Sequence, residues 1–172
     1  MIRILASMSR VHAILTVMAA ALIVSCVGLD PEIVRPFSGI RGTVRYVGGA
    51  AAWPTDSIYD LRIVAFEKKP TEPNQVLTSI VNQTAAYSPS TLPVRVDSSA
   101  YVLEVLLPPR TFEYVVVAMQ NGPDFLNDWL MLDVYAPNGN PEEPGRVIVP
   151  SAGTVAIDFR VDFDNLPPQP FP

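Results

Sequence analysis

After about residue 38 the chain alternates apolar and polar positions with a period of two, which predicts strands rather than helices. From Gly39 onward, Ile40, Gly42, Val44 and Tyr46 fall on one face and Arg41, Thr43 and Arg45 on the other, so a half-buried strand runs to Gly48-Gly49. Ala50 to Asp56, with Trp53-Pro54, reads as a loop, and Tyr59 to Glu67 as a second strand with Leu61, Ile63 and Ala65 inward, closed by Lys68-Lys69-Pro70. Val76 to Val81 reads as a short third strand, and the polar stretch Asn82 to Pro93 as a long loop.

Tyr101 to Met119 carries two alternating runs separated by Leu107-Pro108-Pro109-Arg110. Proline fixes φ and removes an amide donor, so the pair must sit at a turn or an edge. The expectation is a central antiparallel hairpin, with Tyr101, Leu103 and Val105 toward the core and Glu104 toward water. Asn121-Gly122-Pro123-Asp124 is a turn, Trp129 to Tyr135 another apolar run, Pro137 to Pro144 a loop, and Arg146 to Val149 a short strand. In the last strand Val155, Ile157, Phe159, Val161 and Phe163 alternate with Thr154, Ala156, Asp158, Arg160, Asp162 and Asp164. If its polar face adjoins the first strand, Arg41 and Arg45 lie near Asp158 and Asp162, worth about 0.2–1 kcal/mol per pair. The tail from Leu166 to Pro172 holds four prolines and cannot extend a central strand.

These runs predict an all-β fold: a two-sheet antiparallel Greek-key β-sandwich of about seven to eight strands, preceded by a signal-peptide helix. Composition agrees, since 49% hydrophobic and 17% charged residues argue against disorder and 18 prolines argue for many turns. Acidic residues outnumber basic ones 17 to 12. No basic patch favours nucleic acid, so no nucleic-acid partner is expected.

Met1 to Arg10 carries two arginines and no acid, and an apolar run from Ala13 to Val24 ends at Ser25-Cys26. That is the form of a secretory signal peptide, too short to span a membrane comfortably. Ile23-Val24-Ser25-Cys26 resembles the lipobox of bacterial lipoproteins. The resemblance implies that the leader is cut before Cys26 and that its thiol is diacylglycerylated, with palmitate-type acylation of the new amine. The bland alternatives are an ordinary secreted protein with a stray cysteine, or an uncleaved anchor. Cys26 is the only cysteine, so an intramolecular disulfide is excluded. Two or three acyl chains give a durable anchor where one is marginal. Val27 stands where some lipoproteins carry a retention aspartate, so the resemblance leans toward the outer membrane.

Gly42-Thr43-Val44, Tyr101-Val102-Leu103, Leu107-Pro108-Pro109 and Thr111 to Val117 are similar to the carboxypeptidase-regulatory or transthyretin-like (prealbumin-like) sandwich domains, whose pattern is a GxV strand, a strand ending in LPPG and an aromatic-led strand. Arg110 replaces the glycine. The expected organisation is a leader at 1–25, a lipid-anchored tether at 26–37, the sandwich at 38–164 and a proline-rich tail at 165–172. Small bacterial envelope lipoproteins of this kind imply no activity.

Little catalytic chemistry remains. His12, the only histidine, lies in the leader, which excludes Ser/His/Asp and Cys/His catalysis and histidine- or thiolate-ligated zinc in the mature chain. The histidine-dependent hydrolase activity of the transthyretin-like proteins therefore does not carry over. No GxGxxG or P-loop is present. Asp158, Asp162 and Asp164 form a carboxylate row that suits either a solvated face or a carboxylate-only glycosidase. Two groups, Asn121, Asp124, Asn127 and Asp128, and Asn138, Asn140, Glu142 and Glu143, lack EF-hand spacing and read as solvated turns. Trp53, Tyr59, Trp129 and Tyr135 are either core or flat faces for a sugar or partner. The expectation is a non-catalytic lipoprotein of the bacterial cell envelope, without cofactor or metal, serving as a binding or structural accessory. Its expected partners are the membrane, through lipid on Cys26, and an envelope protein or glycan; a carbohydrate-binding module is the alternative.

Overall fold

A computed structural model describes residues 37–171. In chain order they form β1 (Ser38–Tyr46), a 3-10 turn (Gly49–Ala52), β2 (Asp60–Phe66), α1 (Pro73–Val81), β3 (Ala85–Tyr87), β4 (Ser98–Glu104), β5 (Arg110–Phe112) and β6 (Tyr114–Gln120). Then follow β7 (Trp129–Val134), β8 (Val147–Val149), β9 (Gly153–Ala156) and β10 (Phe159–Val161). Cys26 and the expected leader and tether lie outside the described residues, apart from Phe37.

In the first sheet β1 lies between β4 and the β9/β10 segment; the second is antiparallel with order β3-β2-β6-β7, and β5 and β8 form a separate two-stranded ribbon. Ile40 and Val44 of β1 and Leu103 of β4 join Leu61 and Ile63 of β2 and Val115 and Val117 of β6 in one buried cluster. The two sheets therefore face each other, as predicted. Each such aliphatic side chain contributes roughly 1.5–3 kcal/mol by leaving water. Of the residues predicted inward on the first two strands, Ile40, Val44, Leu61, Ile63 and Ala65 are fully inaccessible and Tyr46 is buried, while Gly42 is half-buried.

The expected central hairpin does not form. β4 pairs with β1 in the first sheet, whereas β6 pairs with β2 and β7 in the second. Leu107-Pro108-Pro109 carries the chain from one sheet to the other, and the left-handed residue of the turn is Leu107, with φ 55°, rather than Arg110. The physical reason lies in the second run. Val115, Val117 and Met119 face the main core, while Tyr114 and Val116 are buried on the opposite side, so this segment needs a neighbour on each edge and cover on each face. β4 exposes Val102 and Glu104 and buries one face only.

Two local expectations also change. Val76–Val81 is helical, the end of α1, because Pro73 opens a helix without losing a needed amide and Val76 and Ile80 share one helical face. That face covers the second sheet. The stretch from Asn82 to Pro93 is not all loop, since β3 lies within it and pairs with β2. Arg110 ties this region together: it donates to Glu67 Oε1 through Nε at 2.9 Å and to the Gln83 carbonyl at 2.5 Å.

The last strand adjoins the first, but it pairs parallel and is broken between β9 and β10. The Ile157 amide donates to the Arg41 carbonyl at 2.9 Å, and the Thr43 amide to Asp158 Oδ1 at 2.8 Å. Here the chains approach so closely that a Cβ at Gly42 would run into the Ile157 carbonyl. The expected arginine–aspartate pairs are therefore absent. Register places Arg45 opposite Arg160, and Asp158 is used by backbone instead. On the other flank Asp133 Oδ2 accepts the Arg160 amide at 2.8 Å and ties β7 to β10. Gln169 in the tail brackets Met131 of β7, accepting its amide at 2.8 Å and donating to its carbonyl at 3.0 Å.

Leu103 is fully buried and Glu104 exposed. Leu103→Ala is expected to cost about 2–5 kcal/mol, and Glu104→Ala no more than about 0.5 kcal/mol. Chemical denaturation of the two variants measures both; equal losses would contradict this register.

Candidate functional site

The structure does not gather the four aromatic candidates. Trp53 is core: Tyr46 and Phe163 lie 4.3 and 5.0 Å away between ring centroids, and its Nε1 donates to the Val96 carbonyl at 2.8 Å. The residue is buried, so its ring offers no open face to a ligand. Tyr59 is exposed just before β2, its amide bonded to the Gln120 carbonyl at 2.8 Å. Tyr135 follows β7 and packs on the main core. Trp129 alone lines an extended apolar surface, the outer face of the second sheet.

That surface is a groove of about 720 Å³. Strand alternation builds its floor from Val64 of β2, Val116 and Ala118 of β6 and Met131 of β7. α1 supplies one wall through Val76, Leu77 and Ile80; the turn before β7 supplies another through Phe125 and Leu126; Gln169 to Phe171 of the tail also line it. Trp129 meets Phe125 edge to face at 5.9 Å and donates from Nε1 to the Phe125 carbonyl at 2.8 Å. Phe125 and Leu126 are each more than half exposed, which for large apolar side chains beside a concave face marks a contact surface.

The charged and amide side chains of the groove are matched within the protein, whereas the hydroxyl of half-exposed Tyr87, which also lines it, has no protein partner among the described residues. Arg62 pairs with Asp60 at 2.6 Å and donates to the Ser88 carbonyl at 2.6 Å. Asn127 donates to Asp124 Oδ2 at 2.8 Å, and Gln169 is held by Met131. Tyr114 under the floor donates to the Met131 sulfur, and burial pushes its hydroxyl up to about 12. What the groove offers a ligand is chiefly apolar area, with the Tyr87 hydroxyl as a free hydrogen-bonding group.

A second cleft, of about 730 Å³, is lined by Tyr135, Asp133, Asp158, Arg160 and Asp162. Here each carboxylate serves the backbone. Asp133 accepts the Val134 and Arg160 amides, Asp158 the Thr43 amide, and Asp162 the Asp164 amide. Desolvation raises the Asp133 carboxyl, with those two amide bonds opposing it. Asp164 does not line the cleft. These carboxylates are wiring of the fold.

The two acidic turns are likewise internally satisfied. Asp124 Oδ1 accepts the Leu126 amide, and its carboxyl is held below the usual range first by Asn127 and then by that amide. In the other turn Asn138 donates to Glu143, and Asn138 and Asn140 accept amides two residues on. Among the described residues no group of three or more His, Cys, Asp or Glu is arranged to hold a metal ion.

Sequence reading found Trp129 but missed the groove. The missing signal was Pro73 followed by Val76, Leu77 and Ile80, a helical start and spacing beside a run short enough to pass for a strand. No protein-family model, curated protein or solved structure matches the chain.

Burial raises the hydroxyls of Tyr46, Tyr101 and Tyr114. For Tyr101, desolvation leads and the negative charge of Asp158 adds to it. A pKa raised by folding contributes stability below the unfolded value near 10 and loses it as pH rises toward the folded value. Stability should therefore fall above about pH 10, each buried tyrosine adding a slope of about 1.4 kcal/mol per pH unit. Denaturation at successive alkaline pH values should show a shallower slope in Tyr114→Phe; an unchanged slope would contradict this burial.

Proposed function

We propose that this chain is a non-catalytic lipoprotein of the bacterial cell envelope. A transthyretin-like Greek-key sandwich, held by lipid on Cys26, engages an envelope protein through the groove on its second sheet. One observation carries the binding mode: an apolar floor, exposed Phe125 and Leu126 and half-buried Trp129 stand beside charged and amide groups that already satisfy one another. Apolar side chains of a protein partner fit such a surface better than a sugar, whose hydroxyls need free donors and acceptors. The lipobox-like Ile23 to Cys26 and the inventory of the mature chain, which lacks histidine and a free thiol once Cys26 is lipidated, support the anchor and the lack of catalysis. A glycan-binding reading keeps one observation in its favour, the half-buried Trp129 in the groove wall.

Palmitate labelling is expected at Cys26 and lost in Cys26→Ser. A photo-crosslinking residue at Leu126 is expected to trap a discrete envelope protein, while the same residue at exposed Ala51 does not. Tryptophan fluorescence across envelope glycans is expected to stay constant. A glycan-induced shift that disappears in Trp129→Phe would replace the protein-partner reading with the glycan one.

A further inference from the structure

Away from the groove, three exposed large apolar residues meet at one end of the sandwich: Phe37, Leu106 and Leu107, which are 42%, 59% and 82% accessible. They are neighbours in space. The Val105 amide donates to the Ser38 carbonyl at 2.8 Å, joining the residue after Phe37 to the one before Leu106. The Phe37 ring lies against Gly39, its Cζ 3.2 Å from where a Cβ there would stand.

Leu107 has no structural reason to be leucine. Its φ of 55° suits glycine or asparagine, and its exposure suits a polar side chain. Pro108-Pro109 then restrict the backbone that follows it. The chain reaches this pole from Cys26 through a tether whose fully extended reach is at most about 40 Å. β1, nine residues long, then leads away to the opposite pole, about 30 Å off. The exposed charges on β1 and β4 nearest this end, Arg41 and Glu104, are of opposite sign.

We propose that this pole rests on the lipid bilayer, with Phe37, Leu106 and Leu107 set into the boundary between headgroups and acyl chains. The inference rests on the lipidation of Cys26 proposed above. Because the flanking charges oppose each other, the contact is apolar and requires neither anionic lipid nor low salt. It fixes which way the groove-bearing sheet is presented.

The test uses the lipidated full chain in phosphatidylcholine vesicles containing nitroxide-labelled lipid. A fluorophore is placed on Leu107→Cys or, at the opposite pole, on Ala51→Cys, the Cys26 thiol being blocked by its thioether. Several-fold stronger quenching at position 107 than at 51, unchanged at high salt, is expected. Equal quenching, or none at 107 in protein whose Cys26 carries lipid by mass spectrometry, overturns the bilayer contact alone. An unmodified Cys26 overturns the anchor and this contact together.

Discussion

Burial of β6 on both faces is the constraint from which the rest of the architecture follows. A strand apolar on alternate positions needs one covering layer; Tyr114 to Gln120 is apolar on nearly all of them and needs two. The first sheet provides one cover, facing Val115, Val117 and Met119. The other must come from elements outside the sandwich, and α1 provides part of it over Tyr114 and Val116. A nine-residue helix is too short to roof a four-stranded sheet. The remainder of that roof is open, and the opening is the groove.

Side-chain polarity is spent in the same economical way. The carboxylates of Asp133 and Asp158 close gaps where one sheet passes the other or where the last strand breaks, each accepting backbone amides that would otherwise lack a partner. The same habit explains the acidic turns, whose oxygens fold back on their own segments and present no convergent ligand set.

The sequence made the facing of side chains legible and the partners of strands illegible, for a physical reason. A period of two reports which residues share a face, and Ile40, Val44, Leu61, Ile63, Tyr101, Leu103 and Phe159 all sit where that period puts them. It does not report which edge meets which. Leu107-Pro108-Pro109 forbids ladder pairing whether the next strand turns back beside β4 or crosses to another sheet, so the hairpin and the crossover look alike in one dimension. Likewise Val76 to Val81 fits a buried strand until Pro73 is weighed with it. Of the site, Trp129 was visible as an aromatic in a run, but Phe125 and Leu126 acquire meaning only when α1 stands across from them.

Gln169 has a consequence beyond its two contacts with Met131. The outer edge of β7 would otherwise present an amide and a carbonyl ready to template a strand from another molecule, the usual opening for edge-to-edge aggregation. Prolines on either side deny the tail the amides to do this as a strand, so one side-chain amide acts as a lid on the edge. Gln169 to Phe171 also line the groove. The segment that covers the β7 edge is thus also a stretch of groove wall, so that a change at Gln169 would uncover a strand edge and reshape the groove in one step.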